Sequence, residues 1–231
     1  MTVLYEDSDV IAVAKPSGVA VIPGRDEKPG DALRGQLEAA RHEKLWVVHR
    51  LDRNTSGVLL FARNAEAHRR LSMAFEAHEV SKVYWAWTKG VPAEERITIP
   101  LKPARKGKMQ PARENEPGAL PSETRCLVIA TANTDLGLIA QVEAMPRTGR
   151  QHQIRVHLRA VGSPLLVDPL YARTDQLASG ALGHGSPNVA RLTLHARALT
   201  FPMADGKSRT VEAPLPPDLA ALAEWISTQS A

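Results

Sequence analysis

Leu45-Trp46-Val47-Val48-His49-Arg50-Leu51-Asp52-Arg53-Asn54-Thr55-Ser56-Gly57-Val58-Leu59-Leu60-Phe61 is the stretch from which the fold is best read. Its ends are short, apolar and rich in β-branched and aromatic side chains. Its middle is polar and closes on Asn, Ser and Gly, so the pattern is strand, turn, strand. A turn that only reverses the chain needs Gly, Asn, Asp or Ser. This one also carries a carboxylate, Asp52, between Arg50 and Arg53, with His49 beside them. Flanking arginines hold a carboxylate ionised at neutral pH, which makes Asp52 the candidate centre of the chemistry.

Outward from this turn the pattern is mixed. Val3–Asp7 and Val10–Lys15 read as two strands joined around Ser8-Asp9, Lys15-Pro16-Ser17-Gly18 as a turn, and Val19–Ile22 as further extended chain. After a Pro23–Gly30 loop, Asp31 is placed to cap a helix with Leu33, Leu37 and Ala40 on one face, running to about Lys44. Asn64 is a second cap, for a helix carrying Leu71 and Phe75. Ser81–Thr88 is a strand with Val83, Trp85 and Trp87 on one face and Lys82, Tyr84 and Ala86 on the other, ended by Gly90. Pro100–Pro121 has little periodicity and reads as a basic loop with room for a short hairpin. Thr124–Ala130 and Leu138–Ala144 pair across Asp135-Leu136-Gly137, and Arg191–Phe201 and Arg209–Ala213 across Asp205-Gly206. Asp218 is placed to cap a terminal helix carrying Leu219, Leu222, Trp225 and Ile226. With no internal repeat and no clean boundary, residues 1–231 are expected to form a single α+β domain around a mainly antiparallel sheet.

Composition narrows the class. Of 231 residues 43% are hydrophobic, enough for a sizeable interior, and 23% are charged, which is ordinary for a soluble chain. Cys126 is the only cysteine, which excludes a disulfide framework and a thiolate metal cage and fits a reducing compartment. Lys15, Pro16 and Gly18 interrupt the only apolar run near the start, so neither a leader nor a membrane span is expected and the cytoplasm is the expected location. A formal charge of +4 says little by itself. Its distribution says more. Lys102, Arg105, Lys106, Lys108 and Arg113 occur without an intervening acid, as do Arg147, Arg150, Arg155 and Arg159, and two such patches on a near-neutral body suit a phosphate backbone.

The second informative stretch is Arg147-Thr148-Gly149-Arg150-Gln151-His152-Gln153-Ile154-Arg155-Val156-His157-Leu158-Arg159. Ile154, Leu158 and Val161 have helical spacing and Gly162 supplies a stop. His152, Arg155 and Arg159 then share a cationic face, while Ile154, His157, Leu158 and Val161 pack inward and make His157 a structural histidine. His152 and His157 are five apart rather than four and have no carboxylate nearby, so a metal site is not expected. A Walker-type loop, a dinucleotide fingerprint and a G-x-S-x-G elbow are all absent. What remains is one ionised carboxylate among cations suited to a phosphate backbone, without metal or cofactor. A carboxylate in that state suits a nucleophile or anion stabiliser at a sugar anomeric carbon. The absence of a partner acid points away from glycoside hydrolysis, toward cleavage or rearrangement of a base–ribose bond.

His49-Arg50-Leu51-Asp52 with Thr55-Ser56-Gly57 closely resembles the signature of RluA-type pseudouridine synthases. Lys82-Val83-Tyr84 and Arg147–His157 are similar to that family's second and third motifs, in order. Lys15-Pro16-Ser17-Gly18 and Leu194-His195-Ala196 are further matches. The chain departs from the family at Val167, where Gly is usual before Asp168, and over Glu114–Thr124. The resemblance implies a compact member without an S4-like N-terminal domain, built on a two-lobed, mixed but largely antiparallel sheet with flanking helices and a central cleft. It implies conversion of uridine to pseudouridine in structured RNA, in a tRNA anticodon stem-loop, a ribosomal RNA stem-loop or both, by a monomer without metal or cofactor. Asp52 would then engage the ribose, by attack on the anomeric carbon or removal of the 2′ hydrogen. Tyr84 would stack on the extruded uracil, Arg155 would pair with Asp52, and Arg50 would fill the space the base leaves or contact the RNA fold. His49, Thr55, Lys82, Lys106, Lys108, Arg150 and His152 complete the expected RNA-binding set. Two rivals stand beside this expectation: a catalytically silent RNA-binding or RNA-folding protein on the same scaffold, and a metal-dependent nuclease, which EDTA would abolish.

Overall fold

A computed structural model describes residues 2–24 and 26–229; Arg25, inside the expected Pro23–Gly30 loop, lies outside the described residues. In chain order the first elements are β1 (Val3–Glu6), β2 (Val10–Lys15), α1 (Leu33–Arg41), β3 (Trp46–Val47), β4 (Ser56–Ala62), α2 (Ala65–Glu76) and β5 (Ser81–Lys89). Then come β6 (Arg96–Ile97), β7 (Leu101–Pro103), β8 (Met109–Pro111), β9 (Thr124–Thr134) and β10 (Gly137–Pro146). The chain ends with α3 (Gln153–Ala160), β11 (Leu194–Pro202), β12 (Ser208–Glu212) and α4 (Pro217–Gln229). It divides into two compact units, Met1–Lys82 with Ala196–Pro214, and Val83–His195 with Leu215–Ala231. The fold is α+β with a mainly antiparallel sheet. No helix among the described residues is long and apolar enough to cross a membrane.

In the first unit the strand order is β1-β2-β4-β11, with β12 on β11 and β3 on β4. The opening stretch does form strand, loop, strand: Trp46 lies opposite Ala62 and Val47 opposite Phe61. All seven residues of β4 are buried, because β4 is paired along both edges and covered on both faces. α2 covers one face with Ala67, Leu71 and Ala74, which pack with Val58, Leu60, Phe201 and Val211. Asn64 caps α2 as expected, accepting from the Ala67 N–H at 2.8 Å. Asp31 does not cap α1. It sits in a short 3-10 turn and accepts from the Lys28 N–H at 2.9 Å, leaving Ala32 at the cap. Val19–Ile22 joins no strand, and α1 stops at Arg41, short of the expected Lys44, where His42 turns left-handed.

In the second unit the order is β5-β10-β9-β6. The alternation expected for β5 holds: Ala86 and Tyr84 face a core with Ile154 and Leu158 of α3, while Trp87 and Trp85 face a core with Leu219, Leu222 and Ile226 of α4. Asp218 lies inside the first turn of α4 rather than at its cap. The expected basic loop is a separate two-stranded hairpin, β7–β8, closed by a 3-10 turn at Arg105–Gly107 in which Lys106 is left-handed. β6, two residues long, carries too little pattern to be read from sequence.

Candidate active site

The residues that the two motifs singled out fall into two groups, one on each unit. On the first, the loop from β3 to β4 turns tightly where the Thr55 N–H donates to the Asp52 carbonyl at 3.1 Å. Its backbone is held by Lys15, which the sequence places at the end of a strand and in a family-like turn without giving it a role at the site. Lys15 is 1% exposed, and its ammonium donates to the carbonyls of Pro16, Arg53 and Thr55, each at 2.8 Å. The Gly18 N–H donates to the Arg53 carbonyl at 3.0 Å, and the Ser17 hydroxyl to that of Asn54 at 2.7 Å. Three positions of the Lys15–Gly18 turn, Lys15, Ser17 and Gly18, thus fasten the segment that presents Asp52. Gly57 closes the loop at φ +122°, where a Cβ would lie 2.1 Å from the Ala196 carbonyl oxygen. Only glycine fits both the conformation and the approach.

The arginines flanking Asp52 do not bracket it. With its carbonyl fixed by Lys15, Arg53 turns outward to an ion pair with Glu27. Arg50 is exposed, and among the described residues its side chain makes no ion pair or hydrogen bond. Thr55 is buried, which places it inside the loop. His49 braces the loop: its Nε2 accepts from the Leu60 N–H at 3.0 Å, and its ring stacks on Phe75 with centroids 4.8 Å apart. Burial, reinforced by the Lys82 ammonium, pushes this imidazole down to about 3, so it is a neutral acceptor. Lys82 is half-buried, and desolvation lowers its ammonium to about 8.

On the second unit, Tyr84 lies on β5 opposite Ala144. Arg155 is not part of an exposed cationic face. It is 6% exposed, and its Nε and Nη2 donate to the two carboxylate oxygens of Asp168 at 2.8 Å each. A buried guanidinium requires such a partner. Asp168 was named only as a neighbour of Val167. Its signal was a carboxylate inside the apolar run Leu165-Leu166-Val167-Asp168-Pro169-Leu170, which folds only if a cation meets it. His152 precedes α3 in a left-handed conformation, and so is not on the helix face at all. Its Nδ1 lies 2.8 Å from the Tyr171 hydroxyl.

His157 is structural, as expected. Its Nε2 donates to the Ile99 carbonyl and its Nδ1 accepts from the Thr124 hydroxyl, both at 2.9 Å. The Thr124 hydroxyl accepts in turn from Gln153 Nε2 at 2.9 Å, and Gln153 Oε1 accepts from the Thr148 hydroxyl at 2.7 Å and the Arg150 N–H at 3.0 Å. This satisfied buried network fixes the helix that carries Arg155.

The remaining cations divide by partner. Lys102 is neutralised by Glu116, and Arg150 donates to the Pro121 carbonyl at 3.1 Å. Arg105 and Lys106 stand exposed at the hairpin tip with no ion pair among the described residues. Lys108 is half-buried, its ammonium 3.4 Å from the Leu170 carbonyl. Among the described residues no group of three or more His, Cys, Asp or Glu side chains could hold a metal ion.

The family model for RNA pseudouridylate synthase matches residues 9–160. The chain belongs to the RNA pseudouridylate synthase family. Within it the chain is of the RluA type. It is 35% identical to the dual-specificity RNA pseudouridine synthase RluA of Escherichia coli K12, over 93% of both chains. It is 36% identical to an uncharacterized RNA pseudouridine synthase of Zymomonas mobilis, again over 93% of both. The solved structure of human RNA pseudouridylate synthase domain containing 4 superposes with a TM-score of 0.74 at 25% identity, covering 97% of this chain and 92% of that one. The protein is therefore an isomerase that forms pseudouridine in RNA, and the silent-binder and nuclease rivals give way to it.

Proposed function

We propose that Asp52 is the catalytic carboxylate, and that residues 1–231 act as one monomeric catalytic domain in the cytoplasm. The isomerisation breaks the N1–C1′ bond of a uridine and makes a C5–C1′ bond. A proton leaves C5 and one arrives at N1, with no net oxidation. Asp52 engages the ribose, Tyr84 stacks on the freed uracil and helps carry the C5 proton, and Arg155 steadies the carboxylate. Arg50, exposed and without an ion pair among the described residues, enters the space left by the extruded base. His49 and Thr55 shape the loop from within, while Lys82, Lys106, Lys108, Arg150 and His152 serve RNA binding. The observation that carries this reading is the Lys15 clamp, which builds a rigid mount under the turn that starts at Asp52.

The substrate under this reading is a stem-loop of tRNA, of ribosomal RNA, or both. The dual specificity in the name of the E. coli relative supports more than one RNA class. Mapping pseudouridine in tRNA and ribosomal stem-loops after treatment with the purified chain tests both parts. Asp52→Asn is expected to fold normally and to lose at least about a thousandfold in turnover, the scale on which removal of a reacting group acts. Full activity in that variant would remove Asp52 from the role.

A further inference from the structure

We propose that Tyr171 is a positioning residue that couples the basic β7–β8 hairpin to the Arg155 guanidinium, so that one side chain aligns RNA at the hairpin tip with the arginine of the reaction centre. The inference rests on the reading above, in which Arg155 serves the target nucleoside and the hairpin meets RNA. The hairpin is a sheet of its own with three paired positions, and so short a ribbon does not hold its place without packing. It is seated on α3 and Tyr171 through a small buried cluster of Leu101, Met109, Val156 and Tyr171.

The polar contacts of Tyr171 run in both directions. Its phenol oxygen accepts from the Met109 N–H of β8 at 2.8 Å and is hydrogen-bonded to His152 Nδ1, also at 2.8 Å. Its ring lies against the guanidinium, with Arg155 Cζ 5.0 Å from the centroid. Its backbone N–H donates at 3.1 Å to Asp168 Oδ1, the oxygen that also accepts from Arg155 Nη2 at 2.8 Å. Further links tie the hairpin turn to the same region: Gln151 Nε2 lies 3.3 Å from the Gly107 carbonyl and Lys108 Nζ 3.4 Å from that of Leu170. A displacement of the hairpin must therefore pull on the tyrosine that flanks the arginine.

Two variants separate the two halves of the link. Tyr171→Phe keeps the ring on Arg155 and leaves the buried Met109 N–H without its acceptor, so KM for a convertible stem-loop RNA rises about tenfold with a smaller change in kcat. Tyr171→Leu also strips the ring from the guanidinium, and kcat falls about tenfold further. In the double variant Tyr171→Phe/Lys106→Ala the KM effects combine to less than their product, because the tip charge is no longer held in register. A merely structural tyrosine would lower the folded fraction in both variants without splitting KM from kcat. Wild-type KM in Tyr171→Phe, wild-type kcat in Tyr171→Leu, or full additivity in the double variant each overturns the coupling. If Tyr171→Leu does not fold, Tyr171→Phe decides, together with amide exchange at Met109, which is expected to quicken. Arg155→Lys, run alongside, reports on the underlying reading: undiminished turnover there removes the role of Arg155 and is seen independently of any Tyr171 result.

Discussion

At the scale of single residues, protonation at His49 is constrained most tightly. Its Nε2 is committed as an acceptor to a main-chain N–H, so the charged form can exist only if that bond breaks. Burial and the nearby Lys82 ammonium take its pKa from the ordinary 6.5 to about 3. The unfolded chain therefore binds a proton between these values while the folded chain does not. Stability from this group is complete above about pH 6.5 and drains away as pH falls toward 3. His157, lowered in the same direction by burial, adds to that slope. In His49→Gln, which keeps an acceptor for Leu60, urea-unfolding free energy is expected to fall less steeply from pH 6.5 to 4.5, by up to about one proton. An unchanged slope would mean that the imidazole is already protonated in the folded protein.

At the scale of elements, the loop between β3 and β4 behaves as a part held from outside itself. Replacing Lys15 by Met preserves length and burial but takes the ammonium donor from three carbonyls, of which that of Arg53 keeps the Gly18 N–H. The expected loss is about 3 kcal/mol in chemical denaturation, since orphaned buried polar groups cost about 1–3 kcal/mol each and part is recovered by relaxation. Turnover at saturating RNA should fall by more than the folded fraction does; parallel losses would reduce Lys15 to a stability role. The same loop shows what was legible beforehand. The two strands, the Asn64 cap and the two faces of β5 were readable because their causes are local: period, cap chemistry and turn residues. Lys15, Asp168 and Tyr171 were not, because their partners are distant in sequence and their types are ordinary singly. The arginines beside Asp52 misled for the same reason, adjacency in the chain standing in for a contact that Glu27 takes from Arg53.

At the scale of the molecule, the formal charge of +4 conceals which cations are available to RNA. Lys102, Arg155, Arg96 and Arg125 are each committed to a carboxylate, whereas Arg105 and Lys106 have none among the described residues and occupy an exposed tip. A cation already paired within the protein gives little on meeting a phosphate, because its field is largely spent, whereas an unpaired one releases a condensed counterion from the RNA. Ionic strength therefore distinguishes the two sets where a bare affinity does not. The double variant Arg105→Ala/Lys106→Ala is expected to flatten the plot of log affinity against log salt by about 1.5, near the sum for two phosphate contacts. Arg96→Ala/Arg125→Ala removes the same formal charge and should leave the slope within error of wild type. Filter-binding or fluorescence anisotropy on a stem-loop RNA across a range of salt concentrations measures both. Equal flattening in the two double variants would mean that RNA responds to net charge alone. Flattening confined to the hairpin variant means that the β7–β8 tip is where phosphate is bound.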